Sequence, residues 1–473
     1  MIKSVFKSAF GGSGAQAINF LAIPVLARLY TPDDFAFWSL CLAGVMLVGS
    51  IASFRYELAI MIPTDEREAA DVFWLALLIA GAMSLIGGGI LSLPVSRGIL
   101  GVAGKLDSWH AFVLFASSTA TLGSMTILIN WANRWDLYGL RALAQIVLAA
   151  VAVTFQLAWA LLGGLGAWGL IWGTVAGQIM AVAVLSAGLL LCRHEPRLPS
   201  GLRGISMALR SHYRFPLFST PLTICGVARD RGTVVILEQH VVRAEIGSYA
   251  MIQRLVNFPV GMISGAIRPV LFNRMAREGL AANEERIGAI LKLLLVLTTP
   301  WLAVIMVTAD QLMPLLLGER WQGAGDMLRV LVWPSYTFLF CNWMDRMFDV
   351  TSHQRTVLIL EVIFSTVSLA GLASGLVFTG SLMSALTIQV CLLVAYNVTY
   401  IVVAYRMANF RLCFLIQLLP LAIAIYVTFY FLMFVTMGWL PFIAAILIVF
   451  GFILMFYLVA FRLMQGDILH VRS

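Results

Sequence analysis

The sequence predicts an all-α polytopic membrane protein of about fourteen transmembrane helices. Hydrophobic residues make up 61% of its 473 positions and charged residues only 11%, against roughly 25% charged in soluble domains. The mean hydropathy is +0.94. Apolar runs recur through most of the chain, each of the ~20 residues that a bilayer-crossing helix needs. A membrane β-barrel would show short alternating segments instead of these continuous runs.

Charged or Gly/Pro-containing gaps divide the chain into spans at 9–30, 36–62, 70–95, 110–131, 142–162, 166–191, 215–239, 246–272, 288–309, 325–350, 357–378, 382–404, 412–435 and 440–462. Before the first, Lys3 and Lys7 are followed by Gly11, Gly12, Ser13 and Gly14, and only then by the apolar run 15–29. A cleavable signal places its small residues after the apolar core, so this helix is expected to be retained. Alternate gaps, starting from the N-terminus, hold 19 Lys/Arg residues and the opposite gaps only 5: Arg28, Arg97, Lys105, Arg243 and Arg320. The positive-inside rule then places both termini in the cytoplasm and accounts for most of the +8 net charge. No basic soluble domain is present to suggest nucleic acid as a partner.

The longest connection, 193–214, falls on the cytoplasmic side. Within it Leu202, Ile205 and Leu209 recur at helical spacing opposite Arg203 and Arg210. That pattern fits a short helix lying on the inner membrane surface near anionic headgroups, and equally a solvated basic linker. The chain divides here into a lobe of spans one to six (1–192), the linker, a lobe of spans seven to twelve (215–405), and two further helices with a tail (406–473). The halves echo each other weakly: "DDFAFWSL" (33–40) opens span two, and "AEIGSYAM" (244–251) opens span eight. An offset of six spans preserves orientation, so the repeat would be parallel, about an axis along the membrane normal.

The six cysteines are scattered without a C-x-x-C pair, and the six histidines show no H-x-x-x-H spacing. Neither a metal site nor a cofactor is indicated. The informative residues are ionisable groups inside spans. Near the bilayer centre each costs about 2.5–3.5 kcal/mol on insertion scales, so such groups face a wet cavity or a partner. Arg229, Asp230 and Arg231 sit at or just outside the middle of span seven, with Glu238 near its outer end. Arg254 lies in the outer half of span eight and Arg268 near its inner end. Arg55 and Glu57 mark the inner end of span two, and Asp345, Arg346 and Asp349 that of span ten; these end groups can also snorkel to the interface. Asp326, Arg329 and Glu361 complete the set.

Residues two apart on a helix point ~200° away from each other. Arg229 and Arg231 therefore cannot share a face unless the flanking Gly226 and Gly232 permit a distortion. One can face the lumen while the other pairs with a neighbouring helix, and Glu238 shares the face of Arg231. The alternative for the trio is a structural ion pair, Arg229 or Arg231 with Asp230 or Glu238. Because the deeper charges are mostly arginine, the lumen favours an anionic passenger carrying a phosphate or carboxylate.

Three blocks of sequence carry a family resemblance. "LARLYTPDDFAFWSL" (26–40) with "SFRYELAIMIPTDEREAADVF" (53–73) resembles the opening of Wzx-type O-antigen and polysaccharide flippases, within the multidrug/oligosaccharidyl-lipid/polysaccharide flippase superfamily. "FPLFSTPLTI" (215–224), "AMIQRLVNFP" (250–259) and "FNRMA" (272–276) resemble the start of that family's C-terminal half, and "DVTSHQR" (349–355) is a weaker match. The resemblance implies two pseudo-symmetric six-helix lobes around a central cavity plus two C-terminal helices. It further implies alternating access, with ion coupling in some members, and passage of undecaprenyl-pyrophosphate-linked oligosaccharide across the bacterial inner membrane. Arg55 and Glu57 come from its R-Y-E motif and Arg254 from the "QRL" match, whereas the Arg229–Asp230–Arg231 trio departs from the uncharged polar residues usual there.

The expected cavity residues are thus Arg55, Arg229, Arg231, Arg254, Arg268 and Arg346. Those expected in ion coupling or structural pairing are Glu57, Asp230, Glu238, Asp345 and Asp349. No catalytic residue is expected. Membrane lipids are expected partners, with a polysaccharide polymerase and a chain-length regulator as candidates. A multidrug/cation antiporter of the same superfamily should instead line its cavity with acids. A membrane glycosyltransferase or polymerase acting on lipid-linked sugars needs a sizeable outer loop with paired carboxylates or His, and the outer loops here are only ~4–15 residues long by the same span reading. A purely structural membrane protein would leave the deep charges unexplained.

Overall fold

The computed structural model describes residues 2–164, 166–350 and 354–435. The side chains of 2–13, 218, 266, 269–270, 272–274, 276–278, 346, 349–350, 354 and 432–435 stand outside the described set. Among the described residues the chain is helical and holds no strand. In order the helices are α1 (Ile2–Leu29), α2 (Pro32–Gly49), α3 (Tyr56–Ala59), α4 (Glu66–Ser92), α5 (Pro94–Ile99), α6 (Ser108–Arg134), α7 (Tyr138–Leu161), α8 (Trp168–Leu191) and α9 (Leu202–Ser211). They continue with α10 (Thr220–Glu238), α11 (Arg243–Glu278), α12 (Glu284–Leu317), α13 (Ala324–Cys341), α14 (Asp345–Val350), α15 (Gln354–Thr379), α16 (Leu382–Met407) and α17 (Leu412–Val435).

Among the described residues, nine helices are long and apolar enough to cross a membrane: α2, α4, α6, α7, α8, α12, α15, α16 and α17. Helices α1, α10, α11 and α13 fill four more of the expected spans, and the last, 440–462, lies outside the described residues. This is an all-α polytopic membrane protein. Lipid offers no partner for backbone N–H and C=O groups, so each crossing must satisfy them within its own helix.

Polar residues at the breaks set the helix starts. Thr31 caps α2: its hydroxyl accepts from the Asp34 N–H (3.3 Å), the Asp34 carboxylate accepts from the Thr31 N–H (3.0 Å), and Pro32 follows at the first helical position. Asp65, Asp107 and Ser381 cap α4, α6 and α16 by accepting from the N–H groups of Glu68, His110 and Ser384. Such caps satisfy amide groups that the first turn would otherwise leave open.

Two expected spans are shorter than the sequence suggests. Span two stops at Gly49 and tightens into i→i−3 turns (Ile51 to Val48, Ala52 to Gly49), after which Phe54 (φ 46°) and Arg55 (φ 63°) take left-handed conformations that a right-handed helix cannot continue. The chain restarts as the single turn α3. Span ten stops at Cys341 and resumes as α14 after Asn342–Met344.

Contacts divide the chain into two compact units, Met1–Ala250 and Met251–Ser473, with the boundary inside α11. In the first unit α7 and α8 meet along small residues, Ala152 against Gly173 and Gly177, which permits close backbone approach where lipid supplies no hydrophobic drive. Buried polar groups cross-link its helices: Tyr30 donates to the Gln156 carbonyl (2.7 Å), Trp38 to Thr174 (3.2 Å) and Thr121 to Gln178 (2.8 Å). Helix α10 packs on α2 and so belongs to this unit. An apolar core around Tyr56, Phe73, Trp131 and Leu185 closes its linker-side end.

The second unit has its own core, centred on Ile263, Leu294, Trp343, Phe348 and Tyr405. Within it α12 carries Pro300 and Pro314 and remains continuous. The preceding Thr298 and Thr299 hydroxyls donate to the carbonyls of Leu294 and Leu295, one of the local adjustments by which membrane helices accommodate proline.

Candidate functional site

Helix α10 carries the charged trio. Its entry, Phe215–Ser219, is a π-helical turn containing Pro216, and Pro221 opens the α-helix proper. Arg229 is 14% exposed and its Nε lies 3.1 Å from Oδ1 of the neighbouring Asp230, which is 65% exposed. The local ion pair weighed from sequence is therefore present, between adjacent residues. Arg231 is half-buried. No hydrogen bond joins its guanidinium to another described residue.

Glu238 does not pair with Arg231, despite sharing its helical face. It accepts from Nε and Nη2 of Arg243, both at 3.2 Å, and Arg243 also donates to the Gly101 carbonyl. Gln239 donates to the Ile99 carbonyl at 2.9 Å. The end of α10 is thereby bound to the loop after α5, an arrangement that puts a carboxylate on the nearest guanidinium rather than on one two turns away. The two echoing segments also meet: a β-carbon on Gly247 would fall 1.8 Å from the Pro32 carbonyl oxygen, so α11 opens in direct backbone contact with the start of α2.

At the end of α2 the left-handed Arg55 turns its guanidinium onto Glu57 (3.0 Å), a carboxylate only 1% exposed that also accepts from Ser53. Arg55 and Glu57 thus form a structural pair that holds the strained turn. In the second unit Arg254 is half-buried on α11. Arg268 spans the break between α13 and α14, with Nη2 donating to the Asn342 carbonyl (2.6 Å) and Nε lying 3.1 Å from Asp345. The side chains of Arg346 and Asp349 lie outside the described residues. Arg329 binds Asp310 and Asp326 (2.5 and 2.6 Å), and buried Glu361 accepts from Tyr396 and Ser365.

The first unit therefore holds Arg55, Glu57, Arg229, Asp230, Arg231 and Glu238, and the second holds Arg254, Arg268 and Asp345. Sequence reasoning missed Arg243 and Asp310, which complete two of these pairs from just outside the expected spans. It also missed how firmly the linker docks. Ser200 N–H donates to buried Asp71 (2.7 Å), Trp74 to the Arg197 carbonyl (2.8 Å), Trp131 to the His194 carbonyl (2.7 Å) and Tyr56 to the Leu209 carbonyl (3.1 Å). Helix α9 turns Ile205 and Ala208 inward, whereas Leu202 and Leu209 face outward with Arg203 and Arg210. The expected apolar stripe is thus split. Among the described residues no group of His, Cys, Asp and Glu is placed to hold a metal ion.

Helices α1 to α17 form a fold shared with solved membrane proteins. The chain superposes on a solved structure titled "Lipid II flippase MurJ, inward closed conformation" with a TM-score of 0.69 at 11% identity, covering 99% of this chain and 100% of that one. It matches a multidrug resistance MATE family transporter of the MOP superfamily with a TM-score of 0.54 at 16% identity, covering 85% and 94%. The fold of the described helices is the one these two structures share. The chain belongs to the family described as "Polysaccharide biosynthesis protein", which matches residues 25–326. It is also 23% identical over 339 residues to the succinoglycan biosynthesis transport protein ExoT of Rhizobium meliloti, a match covering 70% of this chain and 65% of the relative.

Proposed function

We propose that the protein flips undecaprenyl-pyrophosphate-linked oligosaccharide repeat units across the bacterial inner membrane during O-antigen or exopolysaccharide assembly. The two lobes, 1–192 and 215–405, alternate access to a central cavity, and both termini are cytoplasmic. The observation that carries this reading is the half-buried Arg231 on α10, inside a chain of the polysaccharide biosynthesis family. Asp230, the carboxylate next to it in the chain, already pairs with Arg229. A guanidinium so placed presents its fork of N–H donors to phosphate oxygens. Arg229, Arg254, Arg268 and Arg346 are further cavity residues on this reading, Arg229 and Arg268 with their charge shared with Asp230 and Asp345, while the lipid tail stays in the bilayer. Membrane lipids surround the transporter, and the polymerase and chain-length regulator receive its product.

Arginines rather than unpaired acids at these depths favour an anionic passenger over the cations of a multidrug antiporter. The test is Arg231→Ala beside Arg229→Ala. Both variants should insert normally, and Arg231→Ala should deplete surface polysaccharide and accumulate lipid-linked repeats on the inner leaflet. Normal polymer from both variants would rule out this role for the α10 arginines.

A further inference from the structure

The docked linker encloses a cleft of about 530 Å³, unconnected with the α10 charges, lined by Glu66 of α4, Trp131 and Trp135 at the end of α6, and linker residues 193–198. Its walls are set by the linker's own anchoring. Trp131 donates to the His194 carbonyl, and the His194 ring stacks on Trp135 with centroids 4.4 Å apart and planes 19° apart. Arg197 is committed to Glu66 at 2.9 Å. One guanidinium and one carboxylate remain, those of Arg193 and Glu195, and neither side chain bonds to another described residue. Arg193 is presented by a left-handed backbone (φ 57°) immediately after α8.

The cleft opens beside apolar surface. Leu191, in the last turn of α8, is 85% exposed, and Leu198, on the cleft's own rim, is 84% exposed. Exposed leucines next to tryptophans and charged groups mark the level at which acyl chains give way to headgroups. The lining carries two guanidiniums and two carboxylates, so it offers no net field to a bare anion. It suits a ligand with both signs of charge and hydrogen-bonding capacity at each.

We propose that this cleft binds the headgroup of a zwitterionic bilayer phospholipid, with its phosphate on Arg193, its primary ammonium on Glu195 and its acyl chains along Leu191 and Leu198. Arg–phosphate pairing supplies the stronger contact. The carboxylate distinguishes a primary ammonium, which donates N–H bonds, from a quaternary one, which cannot. Of the transport proposal this uses only the inner-face position of the linker.

The full-length protein, purified and delipidated, is titrated with phosphatidylethanolamine, phosphatidylcholine and phosphatidylglycerol in mixed micelles, with retained lipid counted by native mass spectrometry. Phosphatidylethanolamine should be retained about threefold over phosphatidylcholine, the weight of one modest hydrogen bond, since both headgroups carry the positive charge and only the primary ammonium donates. Glu195→Gln should abolish that preference, and Arg193→Gln should weaken retention of all three lipids. Equal retention in the wild-type protein, or preferences unchanged in both variants, would overturn the proposal. A preference for phosphatidylglycerol that grows in Glu195→Gln would make this a plain anion site and would equally overturn it. Free phosphoethanolamine saturating the tryptophan fluorescence change at the lipid's own concentration would assign the cleft to a soluble ligand. Polysaccharide output is scored separately, so failure here is distinguishable from failure of the transport reading.

Discussion

Gly101 is the most exacting position at the corner where α10 meets the loop after α5. Its φ of +65° is one that alanine adopts at a cost of about 1–2 kcal/mol. A β-carbon there would lie 2.0 Å from Oε1 of Glu238, so the carboxylate must withdraw. It cannot do so freely, because it is 8% exposed and accepts two N–H groups from Arg243. Losing that charge-assisted bonding costs about 1.5–3 kcal/mol when buried, less here because Arg243 is 36% exposed. Gly101→Ala should therefore destabilise the first unit by about 2–4 kcal/mol. For a unit of this size that lowers the melting temperature by on the order of 5–10 °C. Thermal unfolding of the purified protein in detergent measures it. The decisive control is Glu238→Ala: with the carboxylate gone the steric conflict disappears, so the double variant should cost about 1 kcal/mol less than the two singles combined. Strict additivity, or a Gly101→Ala protein that melts with the wild type, would refute the reasoning.

Two further outcomes follow from the same geometry. Arg268→Ala removes the donor that bridges α11 to the Asn342 carbonyl and Asp345, and should cost roughly 1–2 kcal/mol given its partial exposure. A cysteine placed at Ser335 should then become more reactive to a thiol reagent if the α13 end loosens, and unchanged labelling would argue against the bridge. Asp107 caps α6 from outside the membrane, and its hydrogen bond to His110 holds its carboxyl below the usual range. A lowered folded-state pKa means that the cap's contribution is complete above the ordinary aspartate value of about 3.9. It is lost as the pH falls through the lowered one. Hydrogen exchange at the first turn of α6 should therefore be independent of Asp107 protonation at neutral pH, and faster in Asp107→Ala than in Asp107→Asn.

The helices were legible in the sequence because membrane solvent leaves little choice. An apolar run without water must bond its own backbone, so periodicity and run length identify α4, α6, α7, α8, α15 and α16 to within about a turn, while α12 extends two turns beyond its expected end. The caps at Thr31, Asp65 and Asp107 follow from local chemistry alone. The break after Gly49 was not legible. Phe54 and Arg55 are not turn-forming residues, and their left-handed geometry is held by the Arg55–Glu57 pair and the packing of Tyr56. The split face of α9 was equally hidden, because Asp71 and Trp74 of α4 decide which way the linker settles.

The candidate site divides along the same line. Which positions carry charge inside spans is a property of the sequence, whatever the helices do next. Which charges cancel is not. Glu238 was expected on the face of Arg231 and is taken by Arg243; Arg268 is taken by Asp345. By itself the sequence determined the solvent, the helical type of the crossings and where charge falls within them, since each depends on residues close together in the chain. Only the tertiary structure decided which arginines are paired, because a Coulombic partner is chosen by distance through space, and helix packing sets that distance.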